Sequence, residues 1–166
     1  SNLLSALVKA SSGRNVDIVT AIFRYMARDE GNREVMAKHG GLVEALGTIV
    51  LREMASKRAR ENAAKTLMHL ANSDENRLIM TYSRVLDNLV RVLNLEGEEI
   101  VKMRDSAITA LARLAADPEK RKLMARHDGL LVAMAKAVEF EIRRETKDSN
   151  AVTIAKPALV TLLMSL

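Results

Sequence analysis

Three histidines are the residues of this sequence whose type is most often used in catalysis or metal binding. They are His39, His69 and His127. His39 and His127 each end a short predicted helix, where an imidazole interacts favourably with the helix C-terminus. Because the three fall at separate places in an internal repeat, we expect no shared zinc site and no metal. His69 remains a candidate ligand contact or an ordinary exposed side chain.

A carboxylate recurs every 44 residues, at Asp17, Glu61 and Asp105. On neighbouring packed helices these groups would stand about 10 Å apart, which exceeds the spacing in retaining glycosidases and prevents a shared proton. Arg60 and Arg104 adjoin two of them, so pairing with neighbouring charges is the favoured interpretation. An acidic contact line for a basic partner is the alternative.

An arginine recurs with the same spacing, at Arg33, Arg77 and Arg121. We favour a structural role, in which each arginine bridges to a neighbouring repeat or covers apolar surface, over phosphate binding. The sequence has no cysteine, and it lacks a glycine-rich phosphate loop, a zinc-protease helix and a nucleophile elbow. We therefore expect no enzymatic activity and no cofactor.

The composition favours helices as the elements that carry these residues. Hydrophobic residues make up 48% of the 166 residues and aromatic residues only 2%, which predicts an aliphatic, helical core. The net charge of +5 is a mild excess that does not assign a nucleic-acid partner. No apolar run reaches the roughly 18–20 residues of a membrane span, so we expect no membrane association.

An internal repeat organises the whole chain. Residues 24–36, 68–80 and 112–124 align without gaps at intervals of 44, with alanine shared at 27, 71 and 115 and methionine at 36, 80 and 124. One such unit cannot bury its apolar face alone, so the repeats must stack. The predicted single domain, 1–166, divides into a partial repeat 1–30 and repeats 31–73, 74–117 and 118–166, the last with an insertion near 143–150.

Each repeat contains three helical patterns. A short helix is predicted at 32–38, 75–82 and 118–126, with N-caps at Asp29, Ser73 and Asp117. A glycine corner at Gly40-Gly41 and at Gly129 precedes an amphipathic second helix. The third helix is long and alanine-rich, as in 60–72 and 104–116.

This pattern resembles the armadillo repeat. The segment Ala-Leu-Ala-Arg-Leu-Ala-Ala-Asp at 110–117 is similar to that family's third-helix ending, and Asn-Arg-Leu-Ile-Met at 76–80 is similar to its first helix. The resemblance implies an all-α, right-handed α-α superhelix with three full 44-residue repeats and partial terminal repeats. HEAT repeats, with two helices per unit, are the nearest alternative.

The resemblance also implies a binding surface, because the third helices of armadillo proteins line the concave side. Register carries four rows of contacts onto this chain: Asp17, Glu61 and Asp105; Lys65 and Thr109; Tyr25, His69 and Arg113; Arg28 and Asn72. Importin-alpha-like proteins carry Trp in the second row and Asn in the third, so we reject import-signal recognition of that kind. The uniformly basic groove of beta-catenin-like proteins is not evident either.

We therefore expect a protein-protein interaction scaffold that binds a peptide or partner segment. A nucleic-acid-binding solenoid that uses the net basic charge is the alternative. The opening Ser1-Asn2 without Met indicates a fragment of a larger protein, and the lack of cysteine fits a cytoplasmic or nuclear location. The terminal repeats are expected to expose leucines, which either a homodimer through one end or the remainder of the parent protein would cover: Leu3, Leu4, Leu7, Leu159, Leu162, Leu163 and Leu166.

The repeat register predicts that Leu114 fills the space between stacked layers. Leu114→Ala should lower the free energy of unfolding by roughly 2–5 kcal/mol, because it leaves a cavity in the core. Urea denaturation followed by circular dichroism measures this loss. A change below about 0.5 kcal/mol would place Leu114 on the surface instead.

Overall fold

The computed structural model describes residues 2–143 and 150–166, and every regular element in these ranges is helical. The all-α expectation is thus confirmed. The helices are α1 (Asn2–Ala10), α2 (Val16–Met26), α3 (Glu30–Lys38), α4 (Leu42–Leu51), α5 (Lys57–Leu70), α6 (Asp74–Thr81), α7 (Val85–Leu93), α8 (Val101–Leu114), α9 (Pro118–Ala125), α10 (Leu130–Arg143) and α11 (Asn150–Leu163). A 3-10 turn at Glu98–Ile100 leads into α8.

Local capping explains where most of the short helices begin. The Asp29 carboxylate accepts from the Asn32 N–H at 3.1 Å, and the Asp117 carboxylate accepts from two backbone N–H groups at the start of α9. Ser73 also stands at an N-cap, but its hydroxyl donates to the Glu75 carboxylate, so the predicted side-chain cap there is wrong. The other two caps are confirmed.

Left-handed glycines turn the chain before two of the second helices. Gly41 has φ 84° and Gly129 has φ 77°, a conformation that only glycine adopts without strain. In the middle copy Arg84 precedes α7 with φ −62°. The corner in that copy therefore differs, because Arg84 and Val85 stand at the positions aligned with Gly40 and Gly41.

Helices that stand three apart in the chain pack against one another. α2 contacts α5, α5 contacts α8, and α8 contacts α11. α1, α4, α7 and α10 form a second such series, and α3, α6 and α9 form a third. This packing brings side chains that are 44 residues apart onto equivalent faces of adjacent helices.

One apolar cluster runs through all of these layers. Met36, Met80, Met124 and Leu114 are fully buried in it, so these methionines are core residues, and Leu114 is buried as the register predicts. The third helices α5 and α8 begin and end earlier than predicted. The residue that follows each of them, Ala71 or Ala115, is buried.

The terminal leucines are less exposed than the sequence suggested. Leu4 and Leu162 are only 2% and 0% exposed, so the expectation that they lie open to solvent is wrong; each packs into the core through its neighbouring helices. Leu3, Leu163 and Leu166 are exposed as expected, while Leu7 and Leu159 are partly buried against the core. Most of the predicted insertion near 143–150 lies outside the described residues.

None of the helices in the described ranges combines the length and apolar character needed to cross a membrane.

The arginine that recurs every 44 residues holds the end of the preceding third helix. In each copy Nε donates to one backbone carbonyl and Nη2 donates to the next, at 2.9–3.3 Å. The pairs are Arg33 with Ala27 and Arg28, Arg77 with Ala71 and Asn72, and Arg121 with Ala115 and Ala116. The role is structural, as favoured: each arginine bonds to the end of a helix in the preceding predicted repeat.

Arg121→Met tests this clamp, because methionine keeps an apolar stem and removes both donors, and Arg121 forms no ion pair in the described part of the chain. We expect the free energy of unfolding to fall by about 1–3 kcal/mol, the usual cost of leaving partly buried carbonyls without donors. Urea titration of the variant beside Arg84→Met supplies the comparison, since the exposed Arg84 side chain makes no hydrogen bond in the described part of the chain. Equal losses in the two variants would contradict a clamp.

Candidate binding surface

The exposed face of three adjacent third helices carries the predicted contact residues. α2 lies against α5 and α5 lies against α8, and residues four apart on a helix share one face. In α5 that face shows Glu61, Lys65 and His69, which are half-buried, while Ala63 and Leu67 turn into the core. The structure therefore brings the predicted rows together on one surface.

The acidic row lies toward the N-terminal ends of these helices. The Asp17 carboxylate accepts from the Ser56 hydroxyl, and the same hydroxyl accepts from the Ala59 N–H to cap α5. Glu61 and Asp105 are half-buried at the equivalent positions of α5 and α8. Asp17 thus contributes to joining α2 and α5 as well as to the surface.

The arginines beside the acidic row donate hydrogen bonds to backbone carbonyls at or just after the ends of second helices. Arg60 donates to the Val50 carbonyl at 2.9 Å, at the end of α4, and forms no ion pair with Glu61; the favoured pairing is wrong here because the helix end competes for the guanidinium. Arg104 is buried, donates to the Leu95 carbonyl at 2.6 Å, and stacks 4.0 Å from the centre of the Phe140 ring.

The remaining predicted contacts lie toward the C-terminal ends. Tyr25 is 64% exposed, with the Arg28 guanidinium 5.0 Å from its ring centre. Arg113 donates to the Met68 carbonyl in the last turn of α5. The Thr109 hydroxyl donates to the Asp105 carbonyl at 2.8 Å, so its proton is already used within α8. Asn72 is exposed just beyond α5.

We call six residues at this C-terminal side the basic cluster: Arg24, Arg28, Arg33, Lys65, His69 and Arg113. Within residues 2–143 and 150–166, no member forms an ion pair with a carboxylate. Arg24, which donates to the Asn62 side-chain oxygen at 3.2 Å, was missed from the sequence. Its aligned positions hold Met68 and Ala112, so the register gave no signal.

Burial and neighbouring positive charges lower the pKa of three members of the cluster. Burial, followed by the positive charge of Arg24, lowers the pKa of the Lys65 ammonium, and the Glu61 carboxylate opposes this shift only partly. Burial and then Arg113 lower the pKa of His69. Burial and then Arg33 lower the pKa of Arg113. Mutual repulsion among partly buried cations is therefore a property of this surface.

The other two histidines join adjacent layers. His39 Nε2 lies 3.0 Å from the Ser5 hydroxyl of α1, and His127 Nε2 lies 2.6 Å from the Asp87 carboxylate of α7. Both also stand at the end of a short helix, as predicted: His39 is the C-cap of α3, and His127 follows the C-cap of α9. No group of three metal-ligating side chains comes together in the part of the chain that the structure covers.

No family model matches the sequence, and no curated protein matches it either. The surface is therefore interpreted from its own geometry and charge.

The electrostatics of the cluster predict a lowered His69 pKa that depends on Arg113. The imidazole should titrate at a pH lower than the value of about 6.5 usual for histidine, and Arg113→Gln should raise that pKa by removing the cation that lowers it most. Proton NMR titration of the imidazole measures both values. Arg84→Gln, an equal charge change before α7, serves as the control. A His69 pKa unmoved by Arg113→Gln would show that the two groups do not interact.

Proposed function

We propose that the chain forms a right-handed solenoid of armadillo type and acts as a scaffold that binds an extended peptide segment of a partner protein. The contacts between helices three apart support the solenoid, since each three-helix unit buries its apolar face against the next. The peptide would lie on the face of α2, α5 and α8.

The observation that carries this proposal is the polar surface of those three helices. Charged side chains sit in register on adjacent helices, and the basic cluster makes no ion pair in the described ranges. Half-buried charges without a counter-ion weaken the fold, and a partner that supplies the missing interactions offsets that cost. A row of such groups about 10 Å apart from helix to helix suits an extended chain.

Binding of nucleic acid remains the alternative, but the recurring arginines give it little support. Arg33, Arg77 and Arg121 each use Nε and Nη2 on helix-end carbonyls. Tyr25 is the aromatic residue of the predicted contact rows, so a stacking platform for successive bases is missing from them.

Charge reversal on the proposed face tests the scaffold. The immobilised double variant Lys65→Glu/Arg113→Glu should lose most of the partners that the unchanged protein captures from a lysate, as measured by quantitative mass spectrometry. Opposite charges on the face would repel the same ligand.

The matched control is Arg84→Glu/Lys136→Glu, which changes the net charge equally. Arg84 precedes α7 and Lys136 lies on α10; both side chains are exposed, and neither belongs to the predicted contact rows. Circular dichroism should show that both double variants stay folded. The proposal fails when folded proteins of both kinds capture the same set of partners.

A further inference from the structure

The centre of the basic cluster is a pair of donors that the protein itself does not use. Lys65 and His69 are four residues apart on α5 and therefore one above the other on its exposed face. Neither side chain makes a hydrogen bond or an ion pair in the described part of the chain. Both are half-buried, so they point into a surface that is already partly screened from water.

The arginines around this pair are held in place by other contacts. Arg24 is anchored to Asn62 across α2 and α5, Arg113 to the Met68 carbonyl across α5 and α8, and Arg28 lies over the Tyr25 ring. Each guanidinium has five N–H donors, and these contacts occupy only some of them. Cations positioned before a ligand arrives lose less conformational freedom when they bind it.

We propose that the basic cluster is a subsite for acidic side chains, and that the peptide bound by this scaffold carries a run of Asp or Glu residues across α2, α5 and α8. This proposal rests on the proposed function and names the chemistry of its ligand. Guanidinium and ammonium groups form charge-assisted hydrogen bonds with carboxylates. A carboxylate between Lys65 and Arg113 would supply the counter-charge that the cluster lacks.

The dimensions suit a short segment. Two helix spacings of about 10 Å separate α2 from α8, and an extended chain advances about 3.3 Å per residue. Roughly six residues therefore cross the cluster. The side chains of alternate residues point to the same side, so about three carboxylates face the protein.

The acidic row restricts the direction in which an anionic ligand can lie on this face. Asp17, Glu61 and Asp105 stand eight residues before Tyr25, His69 and Arg113 on the same helices, which is roughly 12 Å along each axis. A polyphosphate that ran along the helices would meet these carboxylates and be repelled. A short acidic segment that crosses the helices at the cluster avoids them.

Fluorescence polarisation with labelled octaglutamate is the test. The peptide should bind in low salt and bind less tightly as salt is added, because screening weakens the charge pairs. Octaglutamine, of equal length and no charge, should bind at least about tenfold more weakly. An oligothymidylate of eight nucleotides should also bind more weakly than octaglutamate.

Lys65→Gln is the decisive variant, because the Lys65 ammonium makes no hydrogen bond or ion pair in the described ranges and its removal therefore leaves the fold intact. It should weaken octaglutamate binding several-fold, and Lys65→Gln/Arg113→Gln should weaken it about tenfold or more. The control Arg84→Gln/Lys136→Gln, with the same charge change, should bind as the unchanged protein does.

Three results would overturn the subsite: no binding of octaglutamate, equal binding of octaglutamine, or equal loss in the control variant. Tighter binding of the oligothymidylate would assign the cluster to nucleic acid instead. Should charge reversal still abolish partner capture while octaglutamate fails to bind, the scaffold stands and the acidic ligand is wrong. If capture is unaffected and octaglutamate binds, the subsite stands without the scaffold.

Discussion

The carbonyl groups at the end of each third helix are the constraint on which the rest of the structure depends. An α-helix leaves its last carbonyls without N–H partners, and here the chain turns at once into the next short helix, so solvent cannot reach all of them. Arg33, Arg77 and Arg121 satisfy two carbonyls each. The clamp fixes how α3, α6 and α9 leave α2, α5 and α8, and thereby how successive layers stack.

The arginines that form these clamps also affect the pKa values of residues on the proposed binding face. Arg33 lowers the pKa of both His69 and Arg113, and Arg77 lowers that of Arg113 as well. Arginines that hold the helix ends thus also contribute positive potential to the basic cluster. Part of the basicity of the cluster is a consequence of the repeat architecture and needs no ligand to explain it.

Periodicity was sufficient to predict the helices and much of the core from the sequence, since Met36, Met80 and Met124 occupy equivalent buried positions. It failed where a contact depends on one copy only. Arg24 aligns with Met68 and Ala112, and its bond to Asn62 links two helices whose relative placement no spacing reveals. The predicted exposure of Leu4 and Leu162 was wrong for the same reason, because it depends on how α1 and α11 pack.

The helix dipole explains why some charged residues of this face are tolerated at helix ends, but it does not explain the charge of Lys65. Asp17 in the first turn of α2, and His69 and Arg113 in the last turns of α5 and α8, suit the partial charges of their helix ends when ionised. Lys65 lies in the interior of α5, where the dipole gives it no benefit, and burial lowers its pKa. The aligned positions hold neutral Ala21 and Thr109, which shows that the repeat does not need a cation there. Among these charges, that of Lys65 is therefore the one that the helix dipole does not explain, and the Glu61 carboxylate four residues earlier offsets its cost only partly.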